Sequence, residues 1–276
     1  MAPPTLSPGS ARSGAEIVER IRHGGAALVA LSGGVDSGVV AALAFEALGA
    51  QAMAVTLTGP SVSRAEVDRA VEVARRVGID HHLVAANPLE RAEYRANPAD
   101  RCYFCRSVEG GRLREFGEAH GVRRYLDGVH LDDLSDDRPG LRAMEEAGFE
   151  HPLLWGGWTK ADVRREARAR RLPNAEQPSD ACLASRVAHG DPIDAELLAR
   201  IEAAESVLLD RGFRRVRVRV RAGSARIEVD PNEVLRLTTP EMSAEVLTQV
   251  ADLGFSPVSI DPVGYGGARR APREGP

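Results

Sequence analysis

The sequence predicts a doubly wound α/β domain on a mostly parallel sheet, followed by a smaller α+β domain. Three observations carry this. Short apolar runs alternate with helix-length segments through the first half of the chain, and a glycine-rich turn joins the first run to the first helix. Beyond an irregular, proline-bearing stretch, the pattern changes to residue-by-residue alternation.

The elements follow in order. Residues 26–31 form a buried strand, 39–48 a helix closed by Gly49, and 51–57 a second buried strand. Residues 64–77 are amphipathic at helical period and stop at Gly78, and 82–85 make a third strand. A helix over 108–120, a strand at 125–127 and an acidic loop at 132–137 come next. A helix over 159–171 follows, with Thr159 as its N-cap. The irregular stretch 172–192 contains the domain boundary. After it, a helix at 194–211, strands at 213–221 and 225–230, a helix at 241–253 and a strand at 255–260 give an α-β-β-α-β order. The expected division is 1–14 without regular structure, 15–188 the nucleotide domain, 189–264 the α+β domain and 265–276 a flexible tail.

Composition narrows the function. The 276 residues are 43% hydrophobic and 28% charged, enough apolar content for a sizeable core, which excludes a disordered chain. The net charge of -4 argues against a dedicated nucleic-acid binder. No apolar run reaches the roughly 18 residues of a membrane span, and the first 14 residues lack the apolar middle of a signal peptide. Three cysteines are too few for a disulfide scaffold and suit a chemical role in the cytoplasm. Of the 36 basic residues one alone, Lys160, is a lysine.

Ser32-Gly33-Gly34-Val35-Asp36-Ser37 follows an apolar strand and enters a helix. Glycines let backbone N–H groups approach a phosphate, and the helix start adds partial positive charge. The pattern is not a Walker A loop, for no G-x-x-x-x-G-K-[ST] occurs. It resembles the signature of the PP-loop ATPases, or adenine nucleotide alpha hydrolase-like enzymes, over about residues 15–185. That resemblance implies ATP cleaved between its α- and β-phosphates, leaving an adenylylated substrate and pyrophosphate. Ser32, Gly33, Gly34, Asp36 and Ser37 are the expected cradle. Lys160, at a predicted helix start, is placed to reach phosphate oxygens. Asp132, Asp133 and Asp136 follow a strand end, and one of them, with Asp36, is expected to hold Mg2+.

Cys102 and Cys105 form a C-x-x-C pair, and Cys182 stands far away in a polar, proline-rich stretch. Such a pair ligates zinc, binds an iron–sulfur cluster or exchanges disulfides. Three thiols without a fourth suit a cubane cluster with one iron open to an outside ligand.

With these residues assembled, the chain resembles the LarE family of ATP-dependent sulfur transferases. The supporting stretches are 32–37, Asp132 to Leu141, Thr159-Lys160, 178–186 and Arg226 to Glu228. The resemblance implies adenylylation of a carboxylate of a pyridinium dicarboxylate mononucleotide, then capture by sulfur, on the route to a nickel-pincer nucleotide. Some relatives sacrifice the sulfur of the residue matching Cys182. Three-cysteine relatives bind a [4Fe-4S] cluster carrying an extra sulfide, which makes Cys102, Cys105 and Cys182 expected ligands here. Lys160, Asp36 and Cys182 are then the expected catalytic residues, with Ser185, Glu205, Arg217 and Arg219 expected around the substrate. The alternation at 213–221 places Arg215, Arg217, Arg219 and Arg221 on one strand face. One departure stands out: Gly264-Tyr265-Gly266-Gly267-Ala268-Arg269 replaces the family's Gly-Tyr-Arg-x-Gly-Ser-like ending, leaving Arg269 or Arg270 as substitutes. Homo-oligomers, an unidentified sulfide donor, and no nucleic-acid or membrane partner complete the expectation. The competing readings are a tRNA thiolase, an amidating ligase and a non-catalytic nucleotide-binding module.

Overall fold

The structure is a computed structural model that describes residues 12–135, 139–178 and 180–266. Asp136, Asp137, Ser179, Arg269 and Arg270 lie outside the described residues.

Five strands form the larger sheet: β1 (Ala27–Ala30), β2 (Ala52–Thr58), β3 (Asp80–Ala85), β4 (Tyr125–Leu126) and β5 (Phe149–Glu150). Their order is β3-β2-β1-β4-β5, and every neighbouring pair is parallel. The chain winds outward from β1 to β3, then returns to lay β4 on the other side of β1. Loops leaving the carboxyl ends of β1 and β4 therefore diverge, and a ligand crevice belongs at that switch point.

The sheet's helices are α1 (Gly14–His23), α2 (Val35–Leu48), α3 (Arg64–Val77), α4 (Ala92–Arg95), α5 (Arg101–Ala119), α6 (Pro139–Glu146), α7 (Pro152–Trp155) and α8 (Lys160–Ala169). The two-residue period of the strands sorts the core into two layers. Ala27, Val29, Ala52 and Ala54 pack with Ile17, Leu43, Val73 and Val163 on one face. Leu28, Val55 and Tyr125 pack with Leu113, Met144 and Phe149 on the other. α2 is apolar nearly all round because it lies in the middle of its layer, touching α1, α3 and α8 as well as the sheet.

Several boundaries differ from the sequence expectation. The helix expected over 108–120 begins at Arg101, so Cys102 and Cys105 sit in its first two turns. Arg101 to Ser107 carry no apolar period, and that concealed the start. α1 was also unanticipated, although Ser13 and Glu16 form a capping box ahead of Ile17, Val18 and Ile21. The strands at 213–221 and 255–260 shorten to β6 (Val216–Arg221) and β8 (Val258–Ile260).

The chain divides into two compact units, residues 1–94 with 99–180 and residues 95–98 with 181–276. The second contains α9 (Ala195–Leu209), β6, β7 (Ser224–Val229), α10 (Val234–Leu237), α11 (Pro240–Asp252) and β8. β6 pairs antiparallel with β7, which pairs parallel with β8. Leu198, Ile201, Leu208, Val218, Ile227, Val246 and Val250 are buried within it.

Candidate active site

Leaving β1, the chain turns through Ser32-Gly33-Gly34 into α2. Gly33 has a φ of +79°, and a β-carbon there would come within 2.5 Å of the Glu66 carbonyl oxygen. Gly34 starts α2 without any side-chain cap, which leaves the positive end of the helix to an anion. Hydroxyls brace the turn from inside. Ser37 Oγ accepts from Ser32 N at 3.1 Å and donates to the Gly34 carbonyl at 3.2 Å. Asn174 braces it from outside, its buried Nδ2 donating to the Gly33 carbonyl at 3.0 Å. Gly128, just past β4, completes the packing: a β-carbon there would lie 2.7 Å from Ser37 N.

α8 delivers the lysine. Thr159 caps it in a reciprocal box with Asp162, and those bonds from Thr159 hold the Asp162 carboxyl below its ordinary pKa. Lys160 Nζ then donates to both carboxylate oxygens of Asp36, at 2.7 and 2.5 Å. Its backbone N–H donates to Asp132 Oδ2 at 2.9 Å, tying the acidic loop to the start of α8. Asp133 Oδ2 accepts from His130 N at 3.1 Å, and His130 Nε2 is 3.7 Å from Asp36. Residues 124 positions apart thus meet at the switch point.

A cavity of about 120 Å3 opens here, lined by Ser32, Asp36, Glu66, Arg69, Lys160 and Asp180 among others. Burial pushes the Glu66 carboxyl up against the opposing bonds from Ser63, and the charge of Asp180 adds to the rise.

Among the described residues, no group of three or more His, Cys, Asp or Glu side chains is arranged to hold a metal ion. Magnesium does not need one, because it keeps waters and takes one or two carboxylates beside phosphate oxygens. Asp36, in the first turn of α2, fits that requirement.

Cys102 and Cys105 lie three residues apart on α5, hence on one helix face. Cys102 is exposed; Cys105 is buried, with Sγ donating to Glu109 Oε1 at 3.2 Å. A C-x-x-C pair on one helix face has the spacing that metal or cluster ligation uses. In the second unit, Cys182 immediately precedes a single 3-10 turn, Leu183–Arg186.

β6 carries Arg217, Arg219 and Arg221 at alternate positions, Arg215 lies just before the strand, and their environments diverge. Arg217 is buried and donates to the Val216 carbonyl at 2.7 Å. Arg219 bonds Glu228 at 3.1 Å and the Ser185 carbonyl at 3.0 Å. The guanidinium carbons of Arg215, Arg217 and Arg219 lie 4.2, 5.1 and 5.8 Å from the centre of the Tyr265 ring. Tyr265, expected to open a flexible tail, is fixed by its N–H to the Val229 carbonyl at 2.7 Å. Glu205 is buried and bonds Arg186 and the Val218 N–H. Sequence reasoning missed Asn174, Gly128, Arg186 and Tyr265, all of which act through contacts between distant positions.

The Ser-Gly-Gly-x-Asp-Ser turn between β1 and the uncapped start of α2 makes the first unit a PP-loop ATPase domain. A family profile described as asparagine synthase matches residues 16–102. An uncharacterized protein of Synechocystis sp. is 38% identical over 87% of this chain and 89% of its own length. The pyridinium-3,5-bisthiocarboxylic acid mononucleotide synthase of Lactiplantibacillus plantarum is 30% identical over 87% of each chain. A tRNA-specific 2-thiouridylase MnmA of Xanthobacter autotrophicus is 30% identical over 86% of this chain and 73% of its own. The chain belongs to the LarE family of ATP-dependent sulfur transferases. No helix among the described residues is long and apolar enough to cross a membrane.

Proposed function

We propose that this chain uses ATP to activate a carboxylate of pyridinium-3,5-biscarboxylic acid mononucleotide and replaces carboxyl oxygen with sulfur. The observation that carries this is likeness to the L. plantarum synthase along 87% of both chains. The site supports it by placing Lys160 on Asp36 beside an uncapped helix start.

A substrate carboxylate oxygen attacks the α-phosphorus of ATP, and the bond to the pyrophosphate oxygen breaks. Charge gathers on the departing pyrophosphate, where the amides of the 32–37 turn, the α2 dipole and Lys160 receive it. Asp36 would hold Mg2+, which would supply further positive charge to the phosphates. The acyl adenylate now has a competent leaving group; a sulfur nucleophile bonds to the acyl carbon and AMP leaves. Arg217 and Arg219 bind the phosphate of the mononucleotide, with Ser185 beside them. Cys102, Cys105 and Cys182 are assigned to a [4Fe-4S] cluster, which when bound supplies sulfide for this step without consuming a cysteine.

Incubation with ATP, magnesium and the mononucleotide, read by mass spectrometry, tests the reading. AMP, pyrophosphate and a substrate gaining sulfur in place of oxygen are expected, with the protein mass unchanged. ADP as the nucleotide product overturns it. A protein mass lowered by the elements of hydrogen sulfide at Cys182 instead overturns the cluster assignment alone. The likeness to the 2-thiouridylase favours tRNA as the second reading; salt-dependent tRNA binding with thiolated uridine as product would select it.

A further inference from the structure

The segment that presents Cys182 has only one 3-10 turn of regular structure, so side chains must hold its backbone. Arg186, 4% exposed, does most of this. Its Nη1 donates to the Cys182 carbonyl at 3.0 Å, to the Ala181 carbonyl, and to Ser185 Oγ at 3.3 Å. The guanidinium is in turn gripped by Glu205 of α9 through two parallel bonds, Nε to Oε1 at 2.8 Å and Nη2 to Oε2 at 2.9 Å.

Glu205 reaches further. Its Oε1 also accepts from the Val218 N–H of β6 at 3.0 Å, and Arg219 of the same strand donates to the Ser185 carbonyl at 3.0 Å. One buried carboxylate therefore joins the cysteine turn, α9 and the arginine-bearing strand. Both oxygens of Glu205 are engaged inside the protein, which suits a group that acts through the turn rather than on a ligand.

We propose that Arg186 and Glu205 are positioning residues for Cys182, a buried ion pair that fixes the cysteine backbone in register with Arg217 and Arg219. Isolated buried charges are costly, and a pair retained at such a place is accounted for by the geometry it imposes. The effect on turnover rests on the sulfur-transfer reading; the effect on the thiol does not.

The full chain carrying Cys102→Ser and Cys105→Ser has Cys182 as its sole thiol. Its alkylation by iodoacetamide, followed to the high-pH plateau where the thiol is fully ionised, reads exposure and mobility rather than acidity. In that background Glu205→Gln is expected to raise the plateau rate about fivefold by freeing the turn. The double change Arg186→Met with Glu205→Leu fills both positions with apolar groups, preserves folding and is expected to raise the rate equally. A role in global stability alone would raise alkylation only in step with the unfolded fraction, measured by urea titration. Plateau rates within about twofold of the parent in both variants would overturn the proposal. Faster alkylation, in a protein whose parent transfers no sulfur to the mononucleotide, leaves the positioning role standing and defeats the functional reading.

Discussion

The two units hold their reactive segments by opposite means. In the first, the 32–37 turn is shaped by absence of bulk: Gly33 and Gly128 let backbone meet backbone, and neutral Ser37 and Asn174 take the bonds that remain. In the second, the 181–186 turn is shaped by buried charge, with Arg186 and Glu205 at its centre. The difference follows from what each presents. A phosphate cradle needs N–H groups left for its ligand; those of Ser32 and Gly34 already meet the hydroxyls of Ser37 and Ser32, so the rest of the turn must supply them. A turn that presents one sulfur atom has no such demand, and its carbonyls are bound by cations.

The comparison breaks most readily in the second unit. Arg186→Ala or Glu205→Ala should cost about 3–5 kcal/mol in urea unfolding, because each strands a buried charge; the paired apolar replacement should be nearly neutral. Equal losses in the single and double variants would mean that packing, not charge, holds the turn. In the first unit, Lys160→Ala should leave the fold intact and lower pyrophosphate release by about 10²–10³-fold, the scale of one lost transition-state donor. Gly33→Ala should cost about 1–3 kcal/mol in stability from its left-handed backbone, with loss of ATP binding by calorimetry. A normal melting point and normal ATP affinity would show that the turn tolerates bulk.

The smallest effect sharpens the contrast, because the first unit has a charge pair of its own. His151 Nδ1 lies 2.7 Å from Asp127 Oδ1 at the end of β4. Burial opposes charging of the imidazole, but the hydrogen bond and charge of Asp127, with Glu145 and Glu150, outweigh it and raise the pKa above 6.5. A raised folded pKa stabilises fully below the unfolded value and fades as pH climbs through the folded one. The melting temperature of the parent should therefore exceed that of His151→Asn by more at about pH 5.5 than at about pH 8.5. A constant difference would assign His151 to packing.

Legibility in the sequence followed locality. The β1 run, its glycine turn and α2 are contiguous and announce themselves; Thr159 and Lys160 read as a helix start and prove to be one. The start of α5 was hidden because Arg101-Cys102-Tyr103-Phe104-Cys105 has no apolar period, and its burial is set by tertiary packing. Alternation assigned the arginines of β6 to one face but gave no sign that Arg217 is buried. Asn174 is 141 residues from Gly33, and Arg186 is 19 from Glu205 across a helix entry; no periodicity links such positions.

A chain whose basic residues are otherwise all arginine has a single primary amine on its side chains, lining the cavity beside Asp36. Acylating reagents, aldehydes or a fluorescent ester directed at amines therefore find Lys160 as the one side-chain amine in this sequence. On the proposed function, protection of that one peptide's mass shift by ATP, and its return after washing, reports nucleotide occupancy with no engineered label.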